Sequence, residues 1–319
     1  MLGIEPMYHP YFRGKQFELI TIRELAPLLK TAGFRPIVEP VRESLSGLHR
    51  TLDAVVETDG SAIVVVNPHY GDLSGTGPLT ELLRHALDLP GISAGILLKP
   101  STTLHEVLAN YKAHSAHTPA FIHRGFTEAK ALAEKLGTPT KDQSHIFFEE
   151  FCGKLYQKHF KDAYRVLLRD GFKRQRRNID YPLLEPFSDL HATFADEGMD
   201  GFGDFLIVGD DYSDTGGPAY AVAIHLTFID PDQDDSMQIY HFKSRQRDTP
   251  QDPAGKFGEA LAEMIKTIDA PGSKVLETNA VKEFRALHEQ GHFPGLGYVK
   301  KLSMKHHIET LADYFNSVA

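Results

Sequence analysis

The run SAIVVVNPHYG at residues 61–71 decides the fold. Unbroken apolar residues from Ala62 to Val66, with no polar alternation, are what a strand carries when helices cover both of its faces in a parallel sheet. The run stops at Asn67-Pro68, and proline forces its predecessor into extended backbone, so Asn67 takes the last position of the strand.

Runs of the same kind recur on both sides of this one. They are Met7 to Phe12, Pro36 to Val41, Ala62 to Asn67, Ala94 to Lys99, Ala120 to His123, His145 to Glu149, Tyr164 to Arg169 and Asp204 to Val208, eight in all. Amphipathic stretches such as ELITIRELAPLLKTAG, LTELLRHALDL, TTLHEVLANYKAH and TEAKALAEKLG lie between them, several closed by the glycine that a helix C-terminus favours. The alternation predicts a (β/α)8 TIM-like barrel, with a doubly wound open sheet as the alternative. No G-x-G-x-x-G follows the first strand, which counts against a dinucleotide fold.

Past the eighth run the pattern changes. AYAVAIHLTFI and MQIYHFKS, separated by the polar cluster DPDQDDS, predict an antiparallel hairpin inserted before a last barrel helix, KFGEALAEMIKTI. Residues from about 275 onward predict two helices around GHFPGLGY. The expected organisation is one barrel-like domain over 1–319, a hairpin insertion at 214–255 and a helical extension at 270–319.

Composition narrows the function. The 319 residues are 41% hydrophobic and 24% charged, ordinary for a globular chain, and the formal net charge of -9 argues against an extended nucleic-acid face. The single cysteine, Cys152, excludes an internal disulfide and a multi-thiolate metal site. The opening residues lack the apolar core of a signal peptide, and no run reaches the roughly 18 apolar residues that span a bilayer, so a cytoplasmic protein with no membrane contact is expected.

Glu39-Pro40, Asn67-Pro68 and Lys99-Pro100 end three strands alike, each placing a polar side chain at the edge where barrels build active sites. With His69, His123, Arg124, Glu149, Arg169, Asp170, Asp210 and Asp211 the rim would carry acids, bases and cations. Lys99, Arg124 and Arg169, with Asn67, are candidates to hold an anion such as phosphate, and Glu149, Asp210 and Asp211 to ligate a divalent metal such as Mg or Mn. Glu39, His123 and Asp210 are the candidate catalytic groups of a metal-dependent phosphoester hydrolase. The loop 209–217, with Gly216 and Gly217 turning the chain into the hairpin, would emerge at that edge, although turn chemistry alone also selects Asp and Gly.

Other patterns carry less. HEQGH at 288–292 matches the zinc-peptidase arrangement, but Gly291 and Pro294 suggest that the helix ends there, and Tyr298 stands where an extended motif has histidine. DPDQDD lacks the glycine and glutamate of a calcium loop. Lys173, Arg174, Arg176 and Arg177 read as a solvated loop, with a nucleic-acid or acidic-partner contact second.

YHPYFRGKQFELITIRELAPLL with PIVEPV, GFGDFLIVGDDYSDTGGPAYAVAIHLTF with IYHFKS, and GHFPGLGYVKKLSMKHHIETL resemble the Beta protein family of bacterial genomes and a phage-satellite immunity cassette. The resemblance implies a role in anti-phage defence or toxin neutralisation, exercised through a protein encoded in the same operon, with a homo-oligomer also open. It brings no catalytic residues, and within the resembling motifs it directs attention to Arg13, Lys15, Asp210, Asp211 and His225, of which Arg13 and Lys15 are candidate ligand-binding residues.

Overall fold

The computed structural model describes residues 7–75, 79–137, 141–214, 217 and 220–318. Strands and helices alternate as β1 (Tyr11–Phe12), α1 (Gln16–Thr31), β2 (Ile37–Val38), α2 (Ser46–Glu57), β3 (Ala62–Val65), α3 (Thr80–Leu87), β4 (Ile92–Leu98), α4 (Leu104–Ala113), β5 (Ala120–His123), α5 (Ala129–Leu136), β6 (Ser144–Phe148), α6 (Lys154–Gln157) and β7 (Tyr164–Leu168). Then come β8 (Leu184–Ser188), α7 (Leu190–Thr193) and β9 (Gly201–Gly203). The strands β1 to β7 followed by β9 pair in parallel, in that order. Tyr8 bridges Phe202, and His9 N–H donates to the Phe202 carbonyl at 2.8 Å, so the eight-stranded sheet curls back toward its start as a TIM-like barrel.

Physical reasons follow the sequence closely. On α1, Leu19, Ile22, Leu25, Ala26 and Leu29 recur at helical spacing and are buried. Thr103 and Glu106 close a capping box on α4. Alternate strand residues fill the barrel: Tyr11, Ile37, Ile63, Val65, Leu97, Ile122, Ile146, Phe148, Val166 and Leu168 form one interior cluster. Burying each such aliphatic side chain contributes about 1.5–3 kcal/mol.

The eighth strand differs from the expected Asp204 to Val208 and is Gly201–Gly203. Leu206 takes a left-handed φ of 51°, which no continuing strand accommodates, so the apolar run DFLIV turns instead of pairing. Glycine suits the closing strand because the chain passes very near: a Cβ on Gly203 would lie 2.2 Å from the His9 carbonyl oxygen.

The chain divides into two compact units, Met1–Arg169 with Thr193–Phe205, and Asp170–Ala192 with Leu206–Ala319. The second contains β10 (Ala223–Asp230) and β11 (Ser236–Lys243), the expected hairpin, joined by β8 as an unforeseen third antiparallel strand in the order β10-β11-β8. Helices α8 (Pro253–Ile268), α9 (Asn279–Gln290) and α10 (Leu296–Val318) complete it. Phe257, Leu261 and Met264 of α8 share one core with Ile224, Leu226 and Phe242 of the hairpin. KFGEALAEMIKTI is therefore a helix of the second unit and not of the barrel. Among the described residues no helix is long and apolar enough to cross a membrane.

Candidate functional site at the barrel mouth

Parity along the strands selects the site. Tyr11, Ile37, Val65, Leu97 and Ile122 point into the barrel, so the residues two positions on, Arg13, Glu39, Asn67, Lys99 and Arg124, follow the same parity at the C-terminal edge. Five neighbouring strands thus each deliver one polar residue to one opening.

Glu39 is the hub. It is fully buried, and four donors satisfy it: the Tyr11 hydroxyl at 2.9 Å, the Arg13 guanidinium, the His69 N–H at 2.5 Å and the Tyr70 N–H at 3.3 Å. A carboxylate so occupied fixes the β3–α3 loop through the His69 and Tyr70 N–H groups. Glu39, a candidate catalytic acid or base from sequence, is thereby an organiser. Arg13 lies between aromatic faces, its guanidinium carbon 4.8 Å from both the Tyr11 and Tyr70 ring centres. Arg124 donates to the Tyr70 hydroxyl at 2.9 Å and lies 4.9 Å from the Phe151 ring centre. The Lys99 ammonium makes no hydrogen bond or ion pair among the described residues.

His69 registers the electrostatics. Burial holds its imidazole below the usual value; Arg124, Lys99 and Arg13 push the same way, and Glu39 pushes against them. The ring is neutral at pH 7. Tyr11, inside the strand that ends at Phe12, and Tyr70, in the loop after Asn67, line Arg13 and carried no sequence signal of their own.

Other candidates serve elsewhere. Asn67 spends its amide on a neighbour's backbone, donating to the Leu97 carbonyl and accepting from the Leu97 N–H, both at 2.8 Å, so it extends the β3–β4 ladder and is not a ligand group. His123 falls on the outer parity of β5 and is fully buried. Its Nδ1 meets the Tyr156 hydroxyl at 2.6 Å and its Nε2 meets His145 Nδ1 at 2.9 Å, between Phe147 and Phe160. Burial, then His145, holds it well below the usual imidazole value, and it is absent from the mouth. Cys152 is buried beside it, donating to the His123 carbonyl, with its thiol pushed up to about 12 by burial.

Glu149 and Arg169 form a two-pronged ion pair at 2.6 and 2.8 Å, and Arg169 also binds Glu197 at 2.7 Å, so neither is a ligand group waiting for metal or phosphate. Lys15, half-buried, sits just ahead of α1. Asp210 and Asp211 belong to the second unit. There Asp170 accepts the Asp210 N–H at 2.8 Å and the Phe172 N–H at 2.9 Å, while Arg174 donates to the Asp211 carbonyl. The acidic loop is built by turn chemistry; Gly216 lies outside the described residues. Helix α9 ends at Gln290 and Gly291 turns left-handed at φ 60°, so His288 and His292 share no helical face. Among the described residues no group of three or more His, Cys, Asp or Glu side chains is placed to hold a metal ion.

His306 and His307 of α10, from the resembling motif KHHIET, have structural work. The Thr278 hydroxyl donates to His306 Nδ1 at 2.8 Å, His306 Nε2–H donates to the Thr227 carbonyl at 2.7 Å, and Glu309 accepts the Ala280 N–H at 3.0 Å. These bonds tie α10 to β10 and to the first turn of α9.

Comparison with family models and with curated proteins finds no match to this chain.

Proposed function

We propose that the barrel mouth binds a small anionic ligand, with a phosphate monoester as the substrate class. The observation that carries this reading is a charge imbalance: three cations, Arg13, Lys99 and Arg124, act on His69 together with one carboxylate, Glu39. Glu39 offsets Arg13, so positive charge outweighs negative at the mouth, where the Lys99 ammonium makes no ion pair among the described residues. Hydrolysis would proceed with neutral His69 taking a proton from the attacking water, a new bond from that oxygen to phosphorus, cleavage of the ester P–O bond, and return of the His69 proton to the departing oxygen to give the alcohol, while Lys99 and Arg124 stabilise the phosphoryl charge. The metal-assisted version finds no ligand group among the described residues.

Calorimetric titration with inorganic phosphate tests the binding. Millimolar or tighter affinity is expected, falling at least tenfold in Lys99→Ala and in Arg124→Gln. Equal affinity in all three proteins refutes it.

A second reading, action through a protein partner as the Beta-family resemblance implies, draws on the exposed Leu183, Leu184 and Tyr220 of the second unit. Affinity capture with the products of neighbouring genes tests it, and the absence of any copurifying neighbour counts against it.

A further inference from the structure

The sheet of the second unit holds an arrangement that the barrel-mouth reading does not use. His225 of β10 stands directly opposite His241 of β11, and their Nδ1 atoms are 2.7 Å apart. On the other side, His241 Nε2 lies 3.0 Å from Glu185 Oε1 on β8. Carboxylate, imidazole and imidazole therefore run in line across three neighbouring strands, β8, β11 and β10.

The protons on this chain are dictated by its acidic end. The Glu185 carboxylate oxygen accepts, so His241 carries its proton on Nε2. His241 Nδ1 is then a lone pair, and the short contact requires His225 to donate from its own Nδ1. A neutral His225 is left with an unprotonated Nε2. That nitrogen makes no hydrogen bond among the described residues, while His241 is fully buried and His225 is partly exposed. The His225 ring is held on edge by Phe172 and Tyr181, with centroids at 5.0 and 4.9 Å. Burial first, then His241 and then Lys300 of α10, hold the His225 imidazole well below its usual value, so at pH 7 the ring is neutral; the other charged neighbour, Lys243, spends its ammonium on the Ile179 and Tyr181 carbonyls.

We propose that His225 is a general base, the outer end of a Glu185–His241–His225 relay, acting on a hydrogen-bearing oxyanion such as a phosphate or hydroxy acid held against Lys300. The O–H bond of the substrate breaks with its electron pair staying on oxygen, and the proton joins His225 Nε2. The His225 Nδ1 proton moves toward His241, which brings the positive charge beside Glu185. Glu185 and His241 are positioning residues; only His225 touches the substrate.

Two measurements on the full chain decide this. Nitrogen-15 imidazole spectra at pH 7 are expected to show His225 protonated on Nδ1 and His241 on Nε2; the reverse tautomer at His225 overturns the proposal without any variant. Diethyl pyrocarbonate, followed by peptide mass mapping, is expected to modify His225 at least tenfold faster than His241, and Glu185→Gln to slow His225 at least threefold. Inorganic phosphate should protect His225 in the wild type and in the barrel-mouth variant Lys99→Ala, but at least fivefold less in Lys300→Ala. An unreactive His225, a rate indifferent to Glu185→Gln, or protection indifferent to Lys300→Ala each overturns it.

Discussion

Mild acid should loosen both units through their buried histidines. His145 in the barrel has its imidazole pushed down to about 3 by burial, and His306 in the second unit is pushed down to about 4, again chiefly by burial. In the unfolded chain each titrates at about 6.5. Below that value the unfolded state takes up a proton that the folded state refuses, so the stability each neutral ring contributes is present above pH 6.5 and drains away as pH falls toward the folded values. Every pH unit in that window costs about 1.4 kcal/mol per histidine, so moving from pH 6.5 to 5.0 removes about 2 kcal/mol through each of these two rings, with His123 adding to the loss in the barrel and His241 in the second unit. That is a sizeable part of the roughly 5–15 kcal/mol a domain has. Carboxylates, with ordinary values near 4, contribute little there. Urea unfolding followed by circular dichroism at half-unit steps from pH 7.5 to 5.0 measures the loss. His145→Phe, which keeps a ring against Phe160, should flatten the slope of the barrel transition by about one proton whatever its effect on absolute stability. A flat profile between pH 6.5 and 5.0, or a His145→Phe slope equal to that of the wild type, refutes the reasoning.

Three further outcomes are expected from single substitutions, each read by thermal or urea unfolding. Asn67→Ala removes both side-chain bonds to Leu97 and leaves that backbone unpaired at the mouth, for a loss of about 2–4 kcal/mol. Gly203→Ala forces a methyl toward the His9 carbonyl at 2.2 Å, which should open the seam of the barrel and cost more than about 2 kcal/mol, whereas Gly258→Ala on α8, with no atom among the described residues within 4 Å, should not be destabilising. Thr278→Val deletes the cap bond to the Val281 N–H and the donor to His306, costing about 1–2 kcal/mol and destabilising α9 first in hydrogen exchange.

How much could be read beforehand depended on whether side chain or backbone set the outcome. AIVVVN and its counterparts announce themselves because a strand buried on both faces leaves no room for polar residues. The closing strand GFG carries no such signal, since glycine is there for a close passage that only tertiary structure creates. The strand LEPFS, with proline inside it, likewise looks like a loop until β11 supplies its partner. At the mouth, strand-end prolines located Glu39, Asn67 and Lys99, and parity separates them from His123. His123 ends its strand one residue before Arg124, and that single step turns it to the other side of the sheet. What Asn67 and Glu149 bind was invisible, because their partners, Leu97 and Arg169, lie tens of residues away.

The four donors gathered on Glu39 bear on how this chain tolerates change. Replacing Arg13 by a neutral residue removes the charge that offsets a fully buried carboxylate, and replacing Glu39 alone removes the charge that offsets a buried guanidinium, so either lesion by itself penalises folding before any ligand is involved. Inheritance should therefore treat positions 13 and 39 as one unit, exchanged together or left alone.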